Sequence, residues 1–204
     1  MIQTDTERMN FIRDDWFKEH KATYEKLSDN TVVLTFKKPN TNMYYVRYVL
    51  DKNVLFITGD IGDAVFCLTE KADLKTLATD YSNHYLFGKL RADREAYDFD
   101  SEKAIKTFKE YFGCEYLDTE DFDEDEIEKY SELVDDFIAQ LRDECTSSEM
   151  LSHILSSEYY DRISEFDADC SEWVFDLGKE LSWQALGWVV GLKMAYEQLK
   201  EELN

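Results

Sequence analysis

One proline, Pro39, and seven glycines are all the chain-breaking residues in 204 positions. That scarcity leaves no proline-rich or glycine-rich linker to separate independent parts. Cysteine is also sparse: Cys67, Cys114, Cys145 and Cys170 are widely spaced and form no CxxC pair. A disulfide framework is therefore not expected, and the four read as reduced thiols, mostly buried as small hydrophobes. No run of 18 apolar residues exists; the longest candidate, 181–199, is interrupted by Gln184, Lys193 and Glu197. No membrane span is expected, and the first residues contain no apolar signal core, which points to a soluble intracellular protein.

The signatures of catalysis are missing as well. There is no nucleophile elbow, no HExxH, no P-loop and no GxGxxG. The histidines, His20, His84 and His153, lie far apart in sequence. No cofactor, catalytic residue or metal site is assigned, and the chain reads as a binding protein more than an enzyme. What remains is globular. A composition that is 44% hydrophobic and 15% aromatic is too rich in rings for a disordered chain, and the length suffices for a sizeable core.

Charge is where the sequence is unusual. The net charge is −22. Residues 1–94 carry 14 basic and 14 acidic side chains, and residues 95–204 carry 9 and 31, so the whole excess lies in the second part. Such a field repels nucleic acid and anionic membrane and attracts basic partners.

Hydrophobic periodicity predicts an α+β chain: an N-terminal helix and a small antiparallel sheet, followed by an acidic, mainly helical C-terminal part. Apolar residues at three- and four-residue steps predict a helix over 6–27. β-rich runs at 31–36, 43–50, 53–58 and 64–68, separated by turn residues, predict a meander of three or four strands. Helices are predicted over 73–79, 81–92, 100–112 with Asp100 as cap and Gly113 as stop, 123–144, 147–156, 158–166 and 181–203. The parts are drawn as 1–94 and 95–204, which could pack as one unit.

Three features invite a functional reading. The first is the helix over 123–144. Ile127, Tyr130, Val134, Phe137 and Leu141 share one face at 100° per residue, and Asp125, Glu128, Glu132, Asp135, Asp136 and Asp143 share the opposite one. That face is either solvated surface or an electrostatic ligand for a basic groove. Like charges four apart cost a helix a few tenths of a kcal/mol per pair, and only Lys129 and Arg142 offset them locally. Helical positions four apart rise about 6 Å, sparser than duplex phosphates at about 1.7 Å per charge. Glu165, Asp167, Asp169, Glu172 and Asp176 would have to fill in the pattern, with Trp173 or Tyr159 as aromatic anchors. A calcium loop is a weaker reading, because DTEDFDEDEIEK lacks the central glycine.

The second feature is the turn Gly59-Asp60-Ile61-Gly62-Asp63. It is either a structural turn, a binding surface, or, with Asp60, Asp63 and His84, the metal site of a nuclease. The third is the C-terminal helix. Its stripe of Ala185, Trp188, Val189, Leu192, Ala195, Tyr196 and Leu199 is either core or a self-association face, with Gly187 and Gly191 permitting close approach.

The stretch NVLFITGDIGDAVFCLT (53–69), followed by Tyr85, Lys89 and Leu90 and by DFDSEKAIKTF (98–108), resembles small proteins of Gram-positive phages and mobile elements. Some acidic proteins of that kind inhibit the type II-A CRISPR effector nuclease. The resemblance covers about the middle third of the chain. It implies a non-catalytic anti-defence protein in the cytoplasm of a bacterial host, engaging a basic nucleic-acid-binding protein such as that nuclease or its guide complex. A purely structural or regulatory phage protein is the other non-catalytic reading. No site residue is carried over from the resemblance.

Overall fold

The computed structural model describes residues 4–93, 96–112 and 123–203. The chain forms two compact units, one made of Met1–Ala96 with Leu181–Asn204 and the other of Tyr97–Glu180. The second unit is thus an insertion within the first. The helix that ends the chain belongs with the N-terminal sheet, not with the acidic part where the sequence boundary at 94/95 would put it.

In the first unit, helix α1 (Asp5–Phe11) starts with a capping box: the Thr4 hydroxyl accepts from Glu7 N–H, and the Glu7 carboxylate accepts from Thr4 N–H. A wide π turn over Ile12–Trp16 follows and drives Ile12 and Phe17 into the core. The chain then becomes strand. Antiparallel β1 (Lys21–Lys26), β2 (Thr31–Lys37), β3 (Val46–Asp51), β4 (Val54–Gly59), β5 (Ala64–Cys67) and β6 (Leu90–Asp93) form a six-stranded sheet in that order. Alternation fixes the register. Leu34, Tyr48, Ile57 and Ala64 pair in one row across four strands, and Leu50, Leu55 and Phe66 in another. All are buried on one face.

Two predicted helices are corrected here. Residues 21–26 are strand, because pairing Lys21 with Lys37 through Lys26 with Val32 satisfies a full ladder that an isolated helix end could not match. Residues 81–92 split into a short helix α2 (Asn83–Phe87), capped by Ser82, and β6, which closes the far edge. Both additions are edge strands carrying charged side chains, which discourages further pairing.

Helix α7 (Trp183–Leu203) packs on β1, β2 and β3 and against α1. Its apolar stripe, from Ala185 to Leu199, is buried with the sheet residues in one core. The surface offered for self-association is therefore occupied by the chain's own sheet. The two glycines do permit close approach, but within the chain. A Cβ on Gly187 would come within 2.8 Å of Ile61 Cδ1, and one on Gly191 within 2.6 Å of Tyr48 Oη. Tyr48, fully buried, donates its hydroxyl to the Trp188 carbonyl at 2.7 Å.

The second unit opens and closes on the paired strands β7 (Tyr97–Phe99) and β8 (Lys179–Leu181). Helix α3 (Ser101–Phe112) follows β7, with the Asp100 carboxylate accepting from Lys103 N–H. Helix α4 (Glu124–Asp143) packs on it. A run of α5 (Ser148–Ile154), a π turn (Leu155–Tyr159) and α6 (Tyr160–Ser164) completes a separate core around Phe108, Phe112, Phe137, Leu141, Leu155 and Ile163. The predicted stop at Gly113, and residues 118–122 of the acidic stretch, lie outside the described residues.

Candidate functional site

Nearly all of the excess charge lies in the second unit. Residues 97–180 hold 27 acidic and 7 basic side chains, a net of −20, against 18 and 16 in the first unit. Helix α4 sets part of this field in a regular row. Asp123 caps it, accepting from Glu126 N–H at 2.9 Å while the Glu126 carboxylate accepts from Asp123 N–H at 3.0 Å. Part of the acidity thus has a local cause: Glu124, Asp125 and Glu126 occupy the first turn, where the helix dipole favours them.

One face of α4 is core. Tyr130, Leu133, Val134, Phe137, Ile138 and Leu141 are buried, and Tyr130 donates its hydroxyl to the Phe112 carbonyl at 2.9 Å. Ile127 is half-buried at the margin. Asp125, Glu128, Glu132, Asp135, Asp136 and Asp143 are all exposed. Asp136 differs from the rest, since Arg162 of α6 reaches it at 3.6 Å and Glu158 at 3.7 Å. The other five make no ion pair among the described residues. They span about 27 Å of helix axis.

The supplementary carboxylates are partly committed. Asp167 accepts from Trp173 Nε1 and from Asp169 N–H, both at 2.9 Å, and Asp176 pairs with Lys179 at 2.9 Å. Glu165, Asp169 and Glu172 are exposed, and their carboxylates make no ion pair among the described residues. Of the expected anchors, Tyr159 is buried against Phe137, with the Arg162 guanidinium over its ring. Its phenol is pushed up by burial first and then by the Asp136 carboxylate. Trp173 is half-buried on Phe108 and Phe112. The most exposed rings among the described residues of this unit are instead Tyr111 and Phe175, 59% and 51% exposed, ahead of Tyr97. Each sits between a carboxylate and a buried apolar residue, Glu110 and Phe112 for Tyr111 and Asp176 and Val174 for Phe175, so only packing singles them out.

The glycine-aspartate turn does structural work. Gly59 has φ +151°, and a Cβ there would land on the Tyr45 carbonyl. Asp60 donates its N–H to that same carbonyl at 2.8 Å and accepts Tyr44 N–H on its carboxylate at 2.8 Å. This holds Tyr44, at φ +56°, in a parallel stack on Trp16 with ring centroids 4.6 Å apart. Ile61 is buried, and its carbonyl accepts from Trp188 Nε1 at 3.0 Å. Asp63 and His84 are exposed. Among the described residues no group of three or more His, Cys, Asp or Glu side chains converges to hold a metal.

Neither buried thiol with a shifted pKa is activated. Cys145 and Cys170 are buried and free, and burial pushes both thiols up, the reverse of a nucleophile's requirement. An open cavity of about 350 Å³ in the first unit is lined by Tyr24, Tyr196, Lys26, Lys71 and Lys75. Two of those lysines are engaged, Lys26 with Asp29 at 3.0 Å and Lys71 with Asn30 at 2.9 Å. No described helix is long and apolar enough to cross a membrane.

No family model matches the chain, and no curated protein or solved structure matches it either.

Proposed function

We propose that this chain is an acidic binding protein whose inserted unit occupies the Lys/Arg-lined groove of a nucleic-acid-binding enzyme, as a mimic of DNA charge. The observation that carries the reading is the concentration of −20 on residues 97–180, with five exposed carboxylates ordered along α4 and outside any ion pair among the described residues. A groove that binds duplex DNA gains free energy by releasing condensed counterions. A rigid protein with ordered carboxylates presents the same sign of charge without the nucleic acid. The resemblance of residues 53–69 and 98–108 to small proteins of phages and mobile elements, some of them anti-defence inhibitors, makes a type II CRISPR effector nuclease the first enzyme to try.

Electrostatics of this kind accelerates association and orients the pair more than it sets final affinity. Binding therefore weakens as salt rises, chiefly through a slower on-rate, because exposed charges are screened beyond about 8 Å at physiological ionic strength. The test titrates the guide-loaded nuclease with wild-type protein and with the variant Asp125→Lys, Glu128→Lys, Glu132→Lys, Asp135→Lys. The four positions lie opposite the buried face, so the variant folds. Its affinity drops by well over tenfold, on the order of 1.4 kcal/mol per decade. A folded variant that binds and inhibits as well as wild type at low salt makes the acidic face mere solvated surface. Absence of any effect of wild type on DNA cleavage removes the nuclease as target.

A further inference from the structure

Tyr111 and Phe175 are the most exposed large apolar side chains among the described residues of the second unit. Each is backed by another ring. Tyr111 stacks on Trp173 with centroids 5.4 Å apart and planes 8° from parallel, and Phe175 lies on Tyr160 at 5.5 Å and 31°. Trp173 joins two short 3₁₀ turns, Cys170–Glu172 and Val174–Asp176, and Phe175 lies in the second, so a single short segment carries one ring of each pair. Trp173 is itself braced by Phe108 and Phe112, and its indole N–H is fixed by the Asp167 carboxylate.

These rings are pre-ordered, which lowers the side-chain entropy lost when something docks on them. They are also interleaved with carboxylates: Glu110 precedes Tyr111, Glu172 precedes Trp173, and Asp176 follows Phe175. Glu110 and Asp176 share exposed ion pairs with Lys106 and Lys179, and such pairs exchange at little cost. Ring faces flanked by carboxylates suit one side chain above others. A guanidinium is planar, stacks on an aromatic face and forks a carboxylate, whereas an ammonium is a compact, strongly hydrated point charge.

The geometry points to a docking surface for an arginine-bearing protein segment, centred on Tyr111 and Phe175. This rests on the function proposed above and locates where that partner's tight contacts fall. Charge complementarity selects the occupant. Nucleic acid and anionic lipid are repelled by a net of −20, and a second copy of the chain would bring the same charge to the contact.

The experiment measures binding of octa-arginine and octa-lysine peptides to the full chain by calorimetry at fixed salt. The proteins are wild type, Tyr111→Phe, the double variant Tyr111→Ala with Phe175→Ala, and the fourfold α4 reversal. Wild type and Tyr111→Phe, which keeps its ring, prefer the arginine peptide by about tenfold. The double alanine variant binds both peptides at the lysine peptide's affinity. Equal binding of the two peptides by wild type, or a preference that survives the double substitution, overturns the docking surface. If that occurs while both affinities still fall with salt and with the α4 reversal, the basic-partner reading stands without it. Failure of wild type to bind either peptide overturns both.

Discussion

Replacing Gly191 by alanine tests the way α7 seats on the sheet. In an exposed helix this change would stabilise by about 1 kcal/mol, since alanine is the better helix former. Here the new Cβ comes within 2.6 Å of Tyr48 Oη and 3.3 Å of Phe17 Cε2, both from fully buried side chains. Overpacking costs about 1–3 kcal/mol. Moving the phenol away also weakens its 2.7 Å bond to the Trp188 carbonyl, a buried hydrogen bond worth about 1 kcal/mol. Gly191→Ala is therefore destabilising by about 1–2 kcal/mol on balance. Tyr48→Phe alone loses the same hydrogen bond and costs about 1 kcal/mol. In the Tyr48→Phe background the clashing oxygen is gone, and the alanine meets only Phe17. The double variant should then be more stable than the sum of the singles by about 1 kcal/mol, well within the range found for contacting residues. Urea unfolding of the four proteins measures the cycle. A Gly191→Ala protein more stable than wild type, or single effects that add within about 0.3 kcal/mol, would falsify the described seating of α7.

Four further outcomes follow from particular groups. His20 is buried between Phe17 and Phe36, with Nε2 at 3.2 Å from the Tyr44 carbonyl and Nδ1 unpartnered, and burial lowers its pKa. A lowered imidazole pKa means the unfolded chain takes up the proton first. Its contribution to stability is complete above about pH 6.5 and is lost as pH falls through the folded value; urea midpoints at pH 7.5 and 5.5 should differ more for wild type than for His20→Gln. Asp60→Ala removes the acceptor of Tyr44 N–H and should lower stability by about 1 kcal/mol. With labelled DNA or RNA and Mg²⁺ or Mn²⁺, the wild-type protein should show no cleavage; activity that vanishes in Asp60→Ala would restore the nuclease reading. Asp123→Ala breaks the capping box of α4 and should cost about 1 kcal/mol, read as a lower thermal midpoint.

The central strands and the amphipathic helices were legible because their patterns are local. Leu34 and Phe36 alternate, and Tyr130, Val134, Phe137 and Leu141 recur at helical steps, so burial could be assigned from spacing alone. The edge strands were not legible. Residues 21–26 bury only Ala22 and Tyr24 partway, and Trp16, Ala22 and Leu27 imitate helical spacing; their structure comes from the neighbour they pair with. The α4 carboxylate face could be read from its period, but the long-range contacts of the acidic unit could not. Arg162 reaches Asp136 from 26 positions away, and Tyr111 meets Trp173 from 62. Contacts of that range leave no trace in spacing.

The discontinuity of the first unit fixes an order in which the protein can be completed during synthesis. Residues 97–180 leave the ribosome as one uninterrupted stretch and can collapse on their own core as soon as they are out. The earlier sheet must wait. Leu34, Tyr48 and Ile57 have no Trp188, Val189 or Leu192 to cover them until the last helix is made. At about 5–20 residues per second the 84 residues between 96 and 181 take about 4–17 s to translate. Throughout that interval a half-built hydrophobic layer stands open while the polyanion is being made behind it, and the charge accumulating on the nascent chain works against its sticking to its neighbours.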